Sequence, residues 1–197
     1  MTGGAQQVRS LKGARGADQA MARVRFIEQA ATQEGKQLIA EIKTRRGGAL
    51  LNLDKVLLHS PALAHGWNQF LGAVRRQTKL PGALRELVIL RVAMLNQAHY
   101  EFIQHAPEAR KEGVSEAVIA AVKEQILGAA FSGLERRVLE YTDAMTRDIR
   151  VSKPLFDAVC ADLGEEQMVE LSLTIAAYNM VSRFLESMQI EPEQAKP

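Results

Sequence analysis

Residues 81–113 read PGALRELVILRVAMLNQAHYEFIQHAPEARKEG, and this stretch decides the fold. It opens with a Pro-Gly pair that is typical of a helix start, and apolar residues then recur at helical spacing as far as Leu95. Asn96 and Gln97 predict a turn, after which a second helix continues until Gly113 stops it. We therefore expect two helices that fold back on each other as a central helical hairpin.

The remainder of the chain also favours helix. Ala and straight-chain residues are frequent, aromatic residues make up only 5%, and no segment combines strand alternation with a hairpin turn. The fold class is therefore predicted to be all-α. Capping residues and apolar spacing place the further helices at about residues 18–43, 61–76, 116–126, 133–149, 153–164 and 165–188, with a short segment at 53–59 between the first two.

The chain of 197 residues is long enough for one domain with a sizeable core. Residues 1–20, which are rich in Gly, Gln and Ala, are expected to form a flexible leader. Residues 21–190 are expected to form the single domain, and residues 191–197 a C-terminal tail. The predicted hairpin lies in the middle of this domain.

Composition and charge exclude several classes of partner. The 25 Lys and Arg residues are interspersed with 23 Asp and Glu residues, so no nucleic-acid partner is expected. The densest basic spots, residues 43–46 and 75–79, are interpreted as solvated helix ends. No apolar run approaches the ~20 residues that span a bilayer, and the N-terminus lacks the apolar stretch of a secretory signal. We therefore predict no membrane partner.

Cys160 is the single cysteine of the sequence, so an intramolecular disulfide is impossible. It lies within an apolar helical pattern, which favours a small buried side chain over a reactive thiol. Because a chain without disulfides is compatible with a reducing compartment, we expect a cytoplasmic protein.

The hairpin carries the richest set of ionisable side chains. Glu101 and His105 are four residues apart, so they share one helix face, where a carboxylate can orient an imidazole and stabilise its protonated form. Glu86 precedes the turn by about ten residues and His105 follows it by about eight, so an antiparallel hairpin places them within ~3 Å of the same height. The three side chains are predicted to converge on one pocket as a general acid or a proton relay.

Other interpretations of these residues stay open. A Glu-x-x-x-His pair on an exposed helix is commonly only a surface pair, although acids between apolar neighbours favour a buried, partnered role. His99 lies off the face of His105, and Glu101 with His105 alone lacks the further ligands that zinc needs, so no metal is predicted. Arg91 is either a ligand for a substrate carboxylate or a structural ion-pair partner, and Arg85 is the weaker candidate.

Motifs around this site resemble the carboxymuconolactone decarboxylase family, which shares the alkylhydroperoxidase D-like helical fold. They are Arg-Glu-Leu-x-Ile-Leu-Arg-Val-Ala at residues 85–93, Tyr-Glu-Phe-x-x-His at 100–105 and Ala-Arg-x-x-Gly-Val-Ser at 109–115. The resemblance extends upstream to residues 46–52 and 59–63, and downstream to 141–143 and 178–184. It covers about residues 21–190 and implies an all-helical domain with the hairpin at its centre.

The resemblance also bears on the chemistry. The peroxidase branch of the fold has a Glu followed by Cys-x-x-Cys-x-x-x-His. Its Glu and His match Glu86 and His105, whereas its two cysteines match Ala98 and Glu101. Thiol peroxidase chemistry needs a thiolate, which neither position supplies. The decarboxylase branch, whose substrate is a small carboxylated lactone, has no cysteine at this site and fits better.

The resemblance therefore implies a cofactor-free lyase that decarboxylates, or moves a proton on, a small carboxylated lactone or a related acid. In this hypothesis the catalytic residues are His105, as the general acid, with Glu101 and Glu86, and the substrate-binding residues are Arg91, Tyr100 and His99. The fold implies a homo-oligomer, either a trimer or a hexamer, with a small-molecule substrate as its other partner. A peroxidase-related protein and a non-catalytic oligomeric binding protein are the alternatives.

Overall fold

The computed structural model describes residues 22–124 and 127–193, and these residues form helices and no strand. The prediction of an all-α fold is therefore confirmed. Within the described ranges, no helix is both long and apolar enough to cross a bilayer. The predicted leader at residues 1–20 lies outside the described residues. The helices are α1 (Gln33–Arg45), α2 (Asn52–Leu57), α3 (Pro61–Arg76), α4 (Gly82–Leu95), α5 (His99–Lys111), α6 (Glu116–Ala121), α7 (Gly133–Arg147) and α8 (Lys153–Met188).

Helices α4 and α5 form the predicted hairpin. α4 is the central element and packs against α5, α7 and α8, so every side chain from Leu84 to Ala93 is buried. Asn96 ends α4, and Gln97 adopts a left-handed conformation with φ 57°, which reverses the chain before α5 begins at His99.

Buried apolar side chains hold α4 from two sides. Val88 and Val92 belong to the larger core cluster, to which α1, α3, α7 and α8 contribute. Leu87 and Leu90 belong to a smaller cluster with residues of α5, α6 and α7. A helix that packs between two apolar clusters has little freedom to rotate. The polar side chains of α4 are therefore held in fixed positions.

The first helix is shorter than predicted, because α1 begins at Gln33 rather than near residue 18. Thr32 caps it, and its hydroxyl accepts a hydrogen bond from the N–H of Gly35 (3.1 Å). The described residues that precede this cap, 22–31, contain no helix. Gly35 permits their close approach, because a Cβ at this position would lie 2.6 Å from the Cβ of Ala30.

Two further predicted helix boundaries can be compared with the structure, the end of α6 and the break within α8. α6 ends at Ala121, short of the predicted residue 126, which itself lies outside the described residues. Arg91 of α4 hydrogen-bonds to the chain directly after α6. Its guanidinium donates to the main-chain carbonyls of Val122 (2.8 Å) and Glu124 (2.6 Å). α8 is interrupted where a helix boundary was predicted, since Gly164 has φ 78° and ψ 165°.

Candidate active site

A cavity of about 480 Å³ lies between the hairpin, the C-terminal ends of α1 and α3, and α8. Glu86 of α4 and Glu101 and His105 of α5 all line it. Each of the three is almost fully buried, with at most 9% of its surface exposed. The structure thus brings together the three residues that the hairpin geometry selected, while their catalytic roles remain predictions.

His105 is paired with Glu86 across the hairpin. Its Nδ1 lies 2.7 Å from Oε2 of Glu86, and Oε1 of the same carboxylate accepts a hydrogen bond from Nε of Arg85 (3.2 Å). Burial lowers the pKa of His105 by more than the neighbouring carboxylate raises it. Burial acts to raise the pKa of Glu86, but the hydrogen bond with His105 and the charge of Arg85 bring it below its usual value. This combination favours a neutral imidazole whose Nδ1–H donates to an ionised Glu86, which leaves Nε2 unprotonated.

Glu101 does not hydrogen-bond to His105, contrary to the expectation from their four-residue spacing. Its Oε2 lies 3.1 Å from Oγ of Ser182 on α8, and its Oε1 is buried without a partner among the described residues. The Ser182 hydroxyl also donates to the carbonyl of Tyr178 (2.9 Å). One hydroxyl proton cannot serve two acceptors fully, so the contact with Glu101 is best satisfied when the carboxyl carries its own proton.

Burial agrees with a protonated Glu101. The side chain is 1% exposed, and burial raises the pKa of its carboxyl well above the usual range, although Ser182 and the charge of Arg75 act in the opposite direction. An ionised carboxylate with one unpartnered oxygen would be costly in this position, whereas a neutral acid is tolerated. The cavity therefore holds a neutral acid, Glu101, close to an unprotonated base, His105.

Arg75 supplies a positive charge to the same cavity. Its Nε donates to the hydroxyl of Tyr178 (2.7 Å), and no carboxylate lies within ion-pair distance of it in the described part of the chain. Tyr178 is fully buried, and its ring meets the ring of His105 edge-on, with centroids 5.0 Å apart. Burial raises the pKa of Tyr178 to about 12, so the phenol stays protonated. The guanidinium of Arg75 is therefore available to a ligand anion.

Among the arginines of residues 43–46 and 75–79 only Arg76 is exposed, so the interpretation of these stretches as solvated helix ends is wrong for the other three. Lys43 and Lys79 are exposed, but the cavity is lined by Arg45, Arg46, Arg75 and Arg76. A signal for Arg75 was present in the sequence, because it lies one turn after the buried Leu71 on α3 and so continues the buried face. The C-terminal ends of α1 and α3 therefore place positively charged guanidinium groups at the cavity, beside the hairpin.

The structure separates the three predicted substrate-binding residues. Arg91 is 1% exposed and does not line the cavity. Its guanidinium forms a two-bond pair with Asp143 of α7 (2.7 and 2.6 Å), so the prediction that it binds substrate is corrected to a structural ion pair. His99 is exposed at the start of α5 and also lies outside the lining. Tyr100 does line the cavity, and its hydroxyl donates to Glu193 (2.8 Å).

The structure also shows where the residues lie that thiol redox chemistry or metal binding would need. Ala98 precedes α5, and Cys160 lies on α8 and does not line the cavity. Within residues 22–124 and 127–193, no three His, Cys, Asp or Glu side chains are grouped in a way that could hold a metal ion.

Fold and site together define an all-helical protein whose central hairpin bears a buried Glu–His pair and no cysteine. Residues 61–144 match the model of the Carboxymuconolactone decarboxylase family. This segment is therefore similar to the family that its motifs predicted. The comparison with curated proteins found no match.

Solved structures share the fold over nearly the whole chain. An uncharacterized peroxidase-related protein from Silicibacter sp. TM1040 is 13% identical, with a TM-score of 0.78 over 92% of this chain and 96% of that one. The alkylhydroperoxidase AhpD core of a peroxidase-related protein from Ralstonia eutropha JMP134 is 20% identical, with a TM-score of 0.76 over 88% and 93%. The debrominase Bmp8 in complex with 2,3,4-tribromopyrrole is 17% identical, with a TM-score of 0.72 over 87% and 91%. At these identities the likeness establishes the alkylhydroperoxidase-like fold alone.

Proposed function

We propose that the protein is a cofactor-free acid–base lyase that decarboxylates, or moves a proton on, a small carboxylated lactone or a related acid. One observation carries the proposal: the buried His105–Glu86 pair lines the same cavity as Arg75, a guanidinium with no acidic partner in the described part of the chain. A base beside a free cation is the arrangement that a small anionic substrate needs.

The roles of the residues follow from their protonation. Arg75 binds a carboxylate of the substrate and orients it in the cavity. Nε2 of His105 is the base, and Glu86 fixes its tautomer through Nδ1. Glu101 is the acid, since it is the carboxyl that burial keeps protonated. The assignment of acid and base therefore differs from the first expectation, in which His105 was the general acid.

In a decarboxylation the bond between the substrate carbon and its carboxylate breaks, and carbon dioxide leaves. The electron pair of that bond stays on the carbon and takes up the proton of Glu101, so that a new C–H bond forms. The carboxylate left on Glu101 is stabilised by the nearby charge of Arg75 and regains a proton from water by way of Nε2 of His105, the base that is paired with Glu86. The net reaction consumes one proton from solvent for each carbon dioxide released.

The test measures carbon dioxide release, and proton exchange with deuterated water, on a panel of small carboxylated lactones. His105→Ala should lower turnover by at least ~100-fold, the low end for general acid–base catalysis. His99→Ala is the matched control, because that imidazole is exposed on the same helix and outside the cavity. Equal rates for the two variants, with both folded, would remove His105 from the chemistry.

The same panel separates the alternatives. Lactones that bind but undergo neither reaction would favour a non-catalytic binding protein. Peroxide consumption that disappears in Cys160→Ser would favour a peroxidase-related activity. We expect no such loss, because the thiol of Cys160 lies outside the cavity. Homo-oligomerisation and a cytoplasmic location remain part of the proposal, and sedimentation and fractionation test them.

A further inference from the structure

The C-terminal tail turns back after α8 towards α5, the helix that lines the cavity. Gln189 adopts a left-handed conformation with φ 50°, and the chain turns so that Ile190 is buried against the core. Beyond it, the carbonyl of Glu191 accepts a hydrogen bond from the side-chain amide of Asn52 (3.0 Å) at the start of α2. This path brings the side chain of Glu193 to α5.

Three donors converge on the carboxylate of Glu193. Its Oε1 accepts from the main-chain N–H of Asn52 (2.7 Å) and from the hydroxyl of Tyr100 (2.8 Å). Its Oε2 accepts from the side-chain amide of Gln104 (2.6 Å). Tyr100 and Gln104 lie one turn apart on α5, and both line the cavity. Both oxygens of the carboxylate are thus satisfied at the cavity wall.

The donor set fits any carboxylate, not Glu193 alone. All three donors are uncharged and present three N–H or O–H groups to two oxygens, the pattern that every carboxylate offers. Tyr100 is 4% exposed, so its hydroxyl needs an acceptor whether that acceptor comes from the tail or from a ligand. The arginines of the lining, Arg45, Arg75 and Arg76 among them, draw anionic ligands into the same cavity.

We propose that Tyr100, Gln104 and the N–H of Asn52 form a carboxylate subsite, which Glu193 occupies in cis and a small carboxylate ligand occupies once Glu193 is displaced. The tail is then a built-in competitor. Because it is tethered, its carboxylate is present at a high effective concentration and lowers the apparent affinity of carboxylates that reach the subsite. The inference does not rest on the proposed reaction, because its readout is binding.

The test uses propionate, which reproduces the end of a glutamate side chain, and the side-chain amide resonances of Gln104 as the local reporter. In Glu193→Ala, propionate should shift these resonances and bind about tenfold more tightly than in the wild type. Glu191→Ala is the matched control, because it removes the same charge from the tail, whereas Glu191 contacts the domain through its main-chain carbonyl. This control should bind propionate as the wild type does.

Two further variants test whether instability of Glu193→Ala, or binding of propionate elsewhere in the cavity, explains the result. Glu193→Gln retains the shape of the tail if the Ala variant is unstable, and it should also bind propionate more tightly than the wild type. Gln104→Leu in the Glu193→Ala background should abolish the gain, as measured by calorimetry because this variant lacks the reporter amide, and this separates the subsite from binding at the arginines. If propionate leaves the Gln104 amide unmoved in Glu193→Ala, or binds it no more tightly than in Glu191→Ala, the contact of Glu193 is only a tail anchor and the proposal is overturned.

Discussion

Replacement of Glu101 by Gln should make the stability of the protein less dependent on pH. Gln keeps the shape and the neutral charge of a protonated Glu101, and its amide can still donate to Ser182. Burial raises the pKa of Glu101 in the folded state, so between the unfolded and folded pKa values the native chain binds more protons than the unfolded chain. The free energy of unfolding of the wild type therefore falls as pH rises through this window, by up to ~1.4 kcal/mol per pH unit from this group.

Urea unfolding of the wild type and of Glu101→Gln, at several values from about pH 5 to about pH 8, measures the effect. The free energy of unfolding of the variant should rise relative to that of the wild type as pH rises, with a slope that approaches ~1.4 kcal/mol per pH unit. Glu140→Gln controls for the loss of an exposed carboxylate on α7. Glu86→Gln should show the opposite sign in measurements extended to lower pH, because the folded pKa of Glu86 is lowered and its contribution to stability is lost only as pH falls below the usual carboxyl pKa of 4.5.

Parallel curves for the wild type and Glu101→Gln would refute the assignment of a neutral acid. They would mean that Glu101 ionises in the folded protein as it does in the unfolded chain. An infrared spectrum gives a second readout: a protonated-carboxyl C=O band at neutral pH should be present in the wild type and in Glu140→Gln, and absent from Glu101→Gln.

Two further predictions concern the scaffold. Arg91→Met should lower the free energy of unfolding by about 3 kcal/mol, because it removes the guanidinium that pairs with Asp143 and donates to the carbonyls of Val122 and Glu124. Binding of propionate in the cavity should be unchanged, and a binding defect at unchanged stability would restore Arg91 as a ligand residue. Gly164→Ala should cost about 1–3 kcal/mol in urea unfolding, because φ 78° with ψ 165° is a conformation that side chains rarely adopt. Gly133→Ala, where a Cβ makes ordinary contact, should be close to neutral.

Much of the fold could be predicted because its signals are local. Pro81 and Gly82 start α4, Asn96 and Gln97 reverse the chain, and these short-range preferences define the hairpin. The start of α1 could not be predicted in the same way. Residues 22–31 continue a pattern compatible with helix, but the cap at Thr32 and the close approach of Ala30 to Gly35 depend on packing across the domain.

The sequence by itself predicted that Glu86, Glu101 and His105 share one pocket. The predicted turn at residues 96–97 fixes the height of each residue along the two antiparallel helices. The sequence also shows that no cysteine stands at residues 98 or 101, the positions that the resemblance to the peroxidase branch implies for its two cysteines.

Tertiary structure alone decided which groups are partners. It paired His105 with Glu86 rather than with Glu101, gave Glu101 to Ser182, and assigned Arg91 to Asp143. It also brought Arg75 to the cavity and the tail to Tyr100 of the cavity lining. The physical reason is that spacing along a helix fixes height and face, whereas hydrogen-bond partners depend on helix rotation and crossing at the scale of an ångström.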